Sequence, residues 1–570
     1  MGAMNVLLTP ARIGPVEIKN RIVMPPMTTR TADAEGFVTD DSIAYYMARV
    51  RGGVGLITVE MASPEKCGRH RRHEVGIYDD CFLPGLTRLV AAIHEGGAKG
   101  SIQLGHGGGH TRIDICGETP IAPSAIPHPV YETTFETIVP EAMTKARIAQ
   151  TVAAHAAAAQ RAEKAGFDCV EVHAAHGYLI SQFHAPFENR RTDEYGGSLE
   201  NRARFGLEVL RAVKAAVPKL GVIYRLSVED FFPGGLTFPE GRQIAVWAAA
   251  AGADALHVSA GHYRSLPSAQ VVLPPMAMPD GPFLDYAAAV KKEIAMPVIA
   301  VGRLGDPKIA ASAVADGKAD FVALGRTLIA DPDWVAKLER GAPIRRCLAC
   351  NTCINEMRGG ARIGCVVNAA AGCETRYADR NAPRGERIAV IGAGPAGLTY
   401  ASLVADGNEV TVFEKEKGPG GAFRLAGKAP LFQEVEANEA SFQRYITDLH
   451  QACVQKGVRF RFATEVRAGS EELASFDRIV IASGASYRFG LGPIARAMLD
   501  TGLARRLSAL FSSSRFRDWF YYKARVATGS RFQKRGNGRQ AVIAIGDAVR
   551  PGKSKEAIAS AFEAALLQFR

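Results

Sequence analysis

No apolar run in the 570-residue chain approaches the length a membrane span needs. Its opening, MGAMNVLLTP, has neither a basic region nor an apolar stretch long enough for a secretory signal. Low-complexity tracts are absent, and no dinucleotide fingerprint precedes residue 388. These absences weigh against a membrane-spanning, secreted or disordered chain, so the expected location is the cytoplasm. In that reducing compartment clustered cysteines read as metal ligands rather than disulfides. Composition is otherwise ordinary, with 47% hydrophobic and 22% charged residues, and the length gives room for two to four domains.

The formal charge is +11, and much of it falls late, in RFRDWFYYKARVATGSRFQKRGNGR (515–539). Nucleic-acid binding is the reflex reading of such a balance. No nucleic-acid module surrounds the patch, and a phosphate-rich cofactor or an acidic protein partner accounts for it equally well.

What the chain does have is alternation. From residue 21 to about 326, the short β-rich runs RIVMPPM, GLITVE, SIQLGH, DCVEVHAAH, VIYRLSV, ALHVSAG, PVIAVG and FVALG alternate with alanine-rich helical stretches. Parallel strands need helical crossovers, so eight such units predict an α/β fold, a (β/α)8 TIM barrel. A doubly wound open sheet is the competing architecture. The unusual side chains fall at the strands' carboxyl ends: Thr28, Glu60, Gln103, His106, His173, His176, Arg225 and His262. Gly302-Arg303 and Gly325-Arg326 end the last two strands, offering backbone approach plus a fixed cation to a phosphate. A barrel brings all these tips to one mouth, and the outline is that of a mononucleotide site.

The stretch EVHAAHGYLISQFHAPFENRRTDEYGGSLENRARF (171–205) resembles the signature of the old yellow enzyme family of FMN oxidoreductases. NRIVMPPM, IQLGH, RLSVEDF, VGR and LGR match its other landmarks in order, over residues 5–340. The resemblance implies FMN, with Pro26, Met27 and Thr28 beside the ring system and Gln103 on its pyrimidine edge. It places Arg225 near N1, and the two Gly-Arg pairs at the phosphate. His173, His176 and Tyr178 are the expected catalytic cluster, two imidazoles to hold an anionic oxygen and a phenol to donate a proton. Arg264 is a candidate carboxylate clamp, with an ordinary ion pair as the alternative. Two departures stand out: GHGGGH (105–110) supplies glycines and His110 where the family often has Arg, and Thr28 stands where many relatives carry Cys.

Cys347, Cys350, Cys353 and Cys365 follow the spacing C-x2-C-x2-C-x11-C. Zinc would favour two C-x2-C pairs, whereas three close cysteines and a distant fourth suit a [4Fe-4S] cube. With Asn351, the stretch is similar to the multidomain iron-sulfur branch that includes trimethylamine dehydrogenase, histamine dehydrogenase and dienoyl-CoA reductase. Cys373 breaks the spacing and reads as structural.

ERIAVIGAGPAGLTYASLVADGNEVTVFEKEKGPGG (386–421) is a dinucleotide-binding unit, Rossmann-like. Gly392, Gly394 and Gly397 permit the turn and the pyrophosphate's approach, Glu414 would take ribose hydroxyls, and Gly420-Gly421 trails the unit. DRIVIASGA and AVIAIGDA resemble later landmarks of two-dinucleotide flavoproteins, which implies FAD, with ADP as the alternative, and puts Asp547 near the cofactor. The expected division is a barrel over 1–340, an iron-sulfur segment and linker over 341–384, and a nucleotide domain over 385–570. About 55 residues separate the two landmarks, with no second fingerprint, so an inserted NAD(P)H domain is missing. In its place LARRLSALFSSSRFRDWFYYKAR (503–525) reads as an amphipathic docking surface for a protein or membrane, or as a helix packed on FAD.

Without a nicotinamide site, electrons should enter from the substrate and leave to an external acceptor, such as an electron-transferring flavoprotein or a partner subunit. The leading expectation is therefore a dehydrogenase of a small N-methylated amine or amino acid, N-methylproline-like, in a homo-oligomer. The alternatives are reduction of an enoate or enoyl thioester, with Tyr178 as proton donor, and a pure electron-transfer subunit.

Overall fold

The computed structural model describes residues 6–129, 137–378, 380–433, 438–529 and 540–567; the last ten residues of the basic tract, 530–539, lie outside them. The chain divides into two compact units. The first comprises Met1–Arg340 with Ala349–Gly364, and the second comprises Gly341–Leu348 with Cys365–Arg570.

In the first unit eight parallel strands close into a barrel: β1 Ile22–Met24, β2 Leu56–Ala62, β3 Lys99–Leu104, β4 Cys169–Ala174, β5 Gly221–Ser227, β6 Ala255–Ser259, β7 Val298–Val301 and β8 Phe321–Ala323. All seven residues of β5 are buried, as expected for a strand covered on both faces. The helix Lys145–Ala165 shows how the punctuation works. Thr144 accepts from the Arg147 amide at 3.1 Å to start it, and Gly166, at φ 101°, ends it.

Side chains two apart on a strand share a face, so each barrel strand reads as a ladder from core to site. Cys169, Ile223 and Ala255 belong to an apolar cluster that also takes in Ile13, Val16 and Ile18 from the N-terminal hairpin. Two residues further along the same strands come Glu171, Arg225 and His257, and after them His173, Ser227 and Ser259. One end is plugged with hydrocarbon, and polarity rises toward the other.

The second unit has a five-stranded parallel sheet built from β9 Arg387–Ile391, β10 Glu409–Phe413, β11 Arg459–Arg461, β12 Arg478–Ile481 and β13 Ala541–Ala544, ordered β11-β10-β9-β12-β13. Among the described residues it is the unit's one parallel sheet. Gly392 turns at φ 111°, and the fingerprint's third glycine packs against it: a Cβ on Gly397 would lie 2.0 Å from the Gly392 carbonyl oxygen. Gly397→Ala is therefore expected to cost about 1–3 kcal/mol, the usual penalty for an overpacked contact. Calorimetry would show a lowered Tm, and an unchanged Tm would contradict this packing.

Residues 503–525 do not form one amphipathic helix. They break into the short turns Leu503–Leu507, Ser508–Ser512, Ser514–Asp518 and Trp519–Lys523. The break has a packing cause: Phe511 stacks on Phe432 at 4.2 Å and shares a small core with Phe520, Leu499 and Ala504. Leu503, Leu510 and Trp519 stay exposed. No helix among the described residues is long and apolar enough to cross a membrane.

Candidate active site at the barrel mouth

Glu171, which had drawn no notice in the sequence, is the hub of the inner layer. Its carboxylate accepts from Gln103 Nε2 at 2.8 Å, lies 2.8 Å from His257 Nδ1, and sits 3.7 Å from an Arg225 nitrogen. Burial alone would raise its pKa, but His257, Arg225 and Gln103 together hold it below the usual carboxylate range. Gln103 thus keeps its carbonyl oxygen for other partners. Arg225 Nε and His173 Nδ1 are buried without a hydrogen-bond partner in the protein. Buried polar atoms are nearly always bonded, so this pair points to a ligand.

Above this layer sit the predicted catalytic residues, and the structure brings three of them together. The His173 ring lies 4.8 Å from that of Tyr178 and 5.2 Å from that of His176. His176 is held at φ 64°, with Nε2 2.7 Å from Ser259 Oγ. Burial, then the nearby Arg225, keeps both imidazoles well below their ordinary pKa and so neutral. Burial also raises the Tyr178 phenol. Tyr263 and His110, stacked at 5.7 Å, extend the group of rings, and Arg358 lies 5.3 Å over Tyr263.

Behind Tyr178 stands a second unnoticed set. Its hydroxyl lies 3.1 Å from His70 Nε2, and His70 Nδ1 lies 2.9 Å from Glu74 Oε2. Their segment, RHRRHEV (69–75), has no helical or strand period to announce it.

The third candidate element follows β1. Pro26, Met27 and Thr28 are half-buried between fully buried neighbours, as a surface lying against a ligand would be. Next to them Thr29 donates its amide and hydroxyl to Glu60, which sits at a register shift in β2 and is pushed up to about 8 by burial. At the end of β7, Gly302 and Arg303 take positive φ. Arg303 pairs with Asp280 at 2.7 Å, and Arg326 donates to Asn351 and to the Pro274 carbonyl. Arg264 adopts the ion-pair arrangement: it donates to Glu188 at 3.1 Å and to the Pro127 carbonyl, with Phe187 beneath its guanidinium. Glu188 also meets His262 at 2.9 Å.

Glu65, Cys67 and His106 have the composition of a metal site and sit within 4.8 Å of one another. The imidazole's other nitrogen argues against that role. His106 Nδ1 accepts from the Gly108 amide at 3.0 Å, so the neutral ring carries its proton on the nitrogen that would bind metal. Arg147, donating to Glu65 at 2.8 Å and to Cys67 at 3.2 Å, supplies the cation there instead.

Cys350 and Cys353 belong to the first unit, Cys347 and Cys365 to the second. In the second unit Gly394 has open space where a Cβ would stand, the freedom a pyrophosphate's approach requires, and Gly421 takes φ 52° beside it. Glu414, at the tip of β10, accepts from the Ala393 amide at 2.8 Å. Asp547 pairs with Arg525 and accepts from the Gly552 amide at 2.9 Å.

A closed barrel with a buried arginine whose Nε has no hydrogen-bond partner, a fixed glutamine and neutral histidines at its mouth belongs to a flavin-dependent oxidoreductase acting on a small molecule. Residues 6–344 match the NADH:flavin oxidoreductase / NADH oxidase family, and residues 390–426 match a NAD(P)-binding Rossmann-like domain. The chain belongs to the NADH:flavin oxidoreductase / NADH oxidase family. It is 38% identical over 487 residues to an NADH oxidase of Thermoanaerobacter brockii, covering 84% of this chain and 72% of that protein. It is 32% identical over 490 residues to a probable N-methylproline demethylase of Rhizobium meliloti, covering 84% and 70%. Among solved structures it resembles a 2-naphthoyl-CoA reductase complexed with 2-naphthoyl-CoA, with TM-score 0.88, 25% identity and 99% of each chain covered.

Proposed function

We propose that the chain oxidises a small N-methylated amine or amino acid, with N-methylproline-like demethylation as the model reaction. The observation that carries this reading is the set of neutral rings at the mouth: Tyr178, Tyr263, His110, His173 and His176. The faces of the two tyrosines attract an alkylated ammonium group. The probable N-methylproline demethylase among the relatives supports it.

FMN would lie against Pro26, Met27 and Thr28, with Gln103 and Arg225 at its pyrimidine edge and Gly302, Arg303, Gly325 and Arg326 toward its phosphate. Bound there, it supplies a hydride acceptor that returns electrons singly. Cys347, Cys350, Cys353 and Cys365 would hold a [4Fe-4S] cluster, a one-electron relay. Gly392, Gly394, Gly397, Glu414, Gly421 and Asp547 would hold FAD or ADP. An external acceptor, such as an electron-transferring flavoprotein, completes the oxidation. The residues at the mouth bind and orient the substrate: the rings surround its cationic nitrogen, and His173 and His176 flank it as neutral donors or acceptors. Arg264, anchored on Glu188, would reach a carboxylate only by leaving that pair.

A second reading, reduction of an enoate or enoyl thioester, is favoured by the likeness to 2-naphthoyl-CoA reductase. Anaerobic mixing separates the two. N-methylproline should bleach the flavin at once, and NADPH should do so poorly. Rapid bleaching by NADPH with turnover of cinnamate would install the reductase reading.

A further inference from the structure

We propose that Arg358 receives the substrate's carboxylate, so that the mouth selects a small carboxylic acid and, among amines, an amino acid over a simple amine. The inference deepens the amine-oxidation reading and rests on it for the ammonium group. The carboxylate partner itself would serve an enoate equally.

Arg358 reaches the mouth from beyond the last barrel strand. It ends the helix Thr352–Arg358, and Ala349–Gly364 belongs to the first unit. Both ends of the segment are tied to the barrel. Asn351, at φ 56°, accepts from Arg326 and donates to the Leu273 carbonyl at 2.9 Å. The Ile363 amide donates to the Thr29 carbonyl at 3.0 Å, beside the stretch Pro26–Thr28. Ile354 and Met357 are buried, and residues four apart share a helix face, so Arg358 follows Ile354 toward the barrel. Its guanidinium lies 5.3 Å from the centre of the Tyr263 ring.

Other cations around the mouth are already engaged. Arg225 has Glu171 at 3.7 Å, Arg264 has Glu188 at 3.1 Å, and Arg303 has Asp280 at 2.7 Å. Arg71 donates to His70 at 3.0 Å and bonds the Tyr178 hydroxyl. Arg358 differs: among the described residues no carboxylate or carbonyl accepts from its side chain, and its contact is the face of Tyr263. A half-buried guanidinium keeps five N–H donors in a planar fork that matches a carboxylate. One such fork suits one monoanionic carboxylate, and an acyl thioester offers it no anion.

The surrounding rings make this charge decisive for an amine. Tyr263 lies 5.9 Å from Tyr178 and 5.7 Å from His110. An ammonium group drawn to the tyrosines therefore comes close to Arg358, and like charges repel, the more so away from bulk water. An anion beside the ammonium removes the conflict. An α-amino acid carries one a single carbon from its nitrogen, and a simple amine carries none. His110 adds a neutral polar group to the same corner. Burial, then His128, His70, Arg71 and Arg358, keeps it well below its ordinary pKa, and its Nδ1 has no hydrogen-bond partner in the protein.

The test uses the flavin-loaded protein and its Arg358→Gln, Arg358→Lys and Arg264→Gln variants, with calorimetric binding as the readout independent of turnover. N-methylproline is set against N-methylpyrrolidine, its counterpart without the carboxylate, and cinnamate against cinnamamide. Wild type should favour N-methylproline by about 10- to 100-fold, as a charged hydrogen bond does. Arg358→Gln should lose that preference and bind N-methylpyrrolidine more tightly than wild type, a gain that a misfolded variant cannot give. Arg358→Lys, with the charge but not the fork, should fall between the two. In turnover, Arg358→Gln should raise KM for N-methylproline with kcat little changed, the pattern of lost substrate binding. Preference kept in Arg358→Gln and lost in Arg264→Gln would hand the carboxylate to Arg264 and overturn the proposal. A wild type that prefers neither acid over its uncharged or carboxylate-free counterpart would overturn it as well. If N-methylproline binds with the Arg358-dependent preference but leaves the flavin oxidised, or if cinnamate alone shows that preference, the amine reading fails and Arg358 keeps its role.

Discussion

Acidified from pH 7 towards pH 5 without cofactor, the protein is expected to unfold over a narrow range, driven by histidines that the barrel buries uncharged. His70, His106, His110, His155, His173, His176, His184 and His257 are all held below the ordinary imidazole pKa, chiefly by burial. A group depressed in this way favours the folded state above its unfolded pKa, about 6.5 for histidine, and that advantage drains as pH falls further. Three buried carboxyls act in the opposite sense. Glu60 and Glu74, raised to about 8, and Asp230, raised to about 6, bind protons in the folded state first and gain on acidification. His262, raised by Glu188 despite its burial, resists acid as well. The histidines outnumber these groups. Each uncompensated proton tilts stability by about 1.4 kcal/mol per pH unit. A few of them amount to a whole domain's stability of about 5–15 kcal/mol. Urea midpoints measured at half-unit pH steps would show it. A midpoint unchanged between pH 7 and pH 5 would mean that these imidazoles are hydrated or already charged.

The same histidines show what could be read in advance. His173 and His176 were legible because they end an apolar strand, where a polar residue has no packing role. Gln103 and Arg225 were legible for the same reason, and the barrel followed from the spacing of such strands. Glu171 was equally visible in CVEVHA, since a charge inside a buried strand is costly unless paired. That signal lay in the sequence unread. His70 and Glu74 gave none, because their loop has no period and their partner lies over a hundred residues away. The break-up of segment 503–525 into short turns was hidden for a related reason: Phe432, far off in sequence, draws Phe511 and Phe520 into a core. Periodicity reports which face of an element is buried. It cannot report which distant side chain completes a hydrogen bond or a packing cluster.

Glu171→Gln is expected to cost the protein its flavin while leaving its shape almost untouched. The wild-type carboxylate is acceptor-only, so it takes Gln103 Nε2–H and fixes that amide with its carbonyl oxygen turned away. A flavin's pyrimidine edge offers an N–H at its centre, and a fixed carbonyl is its complement. The substituted amide presents either an NH2 or a C=O to Gln103, and packing no longer decides which. Half of the new arrangements reverse what Gln103 offers. Arg225 meanwhile loses the carboxylate 3.7 Å away that offsets its burial, and His257 loses the acceptor opposite Nδ1. Breaking a buried pair by removing one partner costs about 3–5 kcal/mol, and some of that falls on folding. The share that falls on flavin affinity is expected to weaken binding at least about tenfold, because each 1.4 kcal/mol is a factor of ten. Flavin retained through gel filtration and a fluorescence titration of FMN into the stripped protein would measure it. Glu171→Asp, which keeps the charge and shortens the reach, should bind between wild type and Glu171→Gln. A Glu171→Gln protein that keeps its flavin and its stability would show that Gln103 and Arg225 are oriented by something other than Glu171.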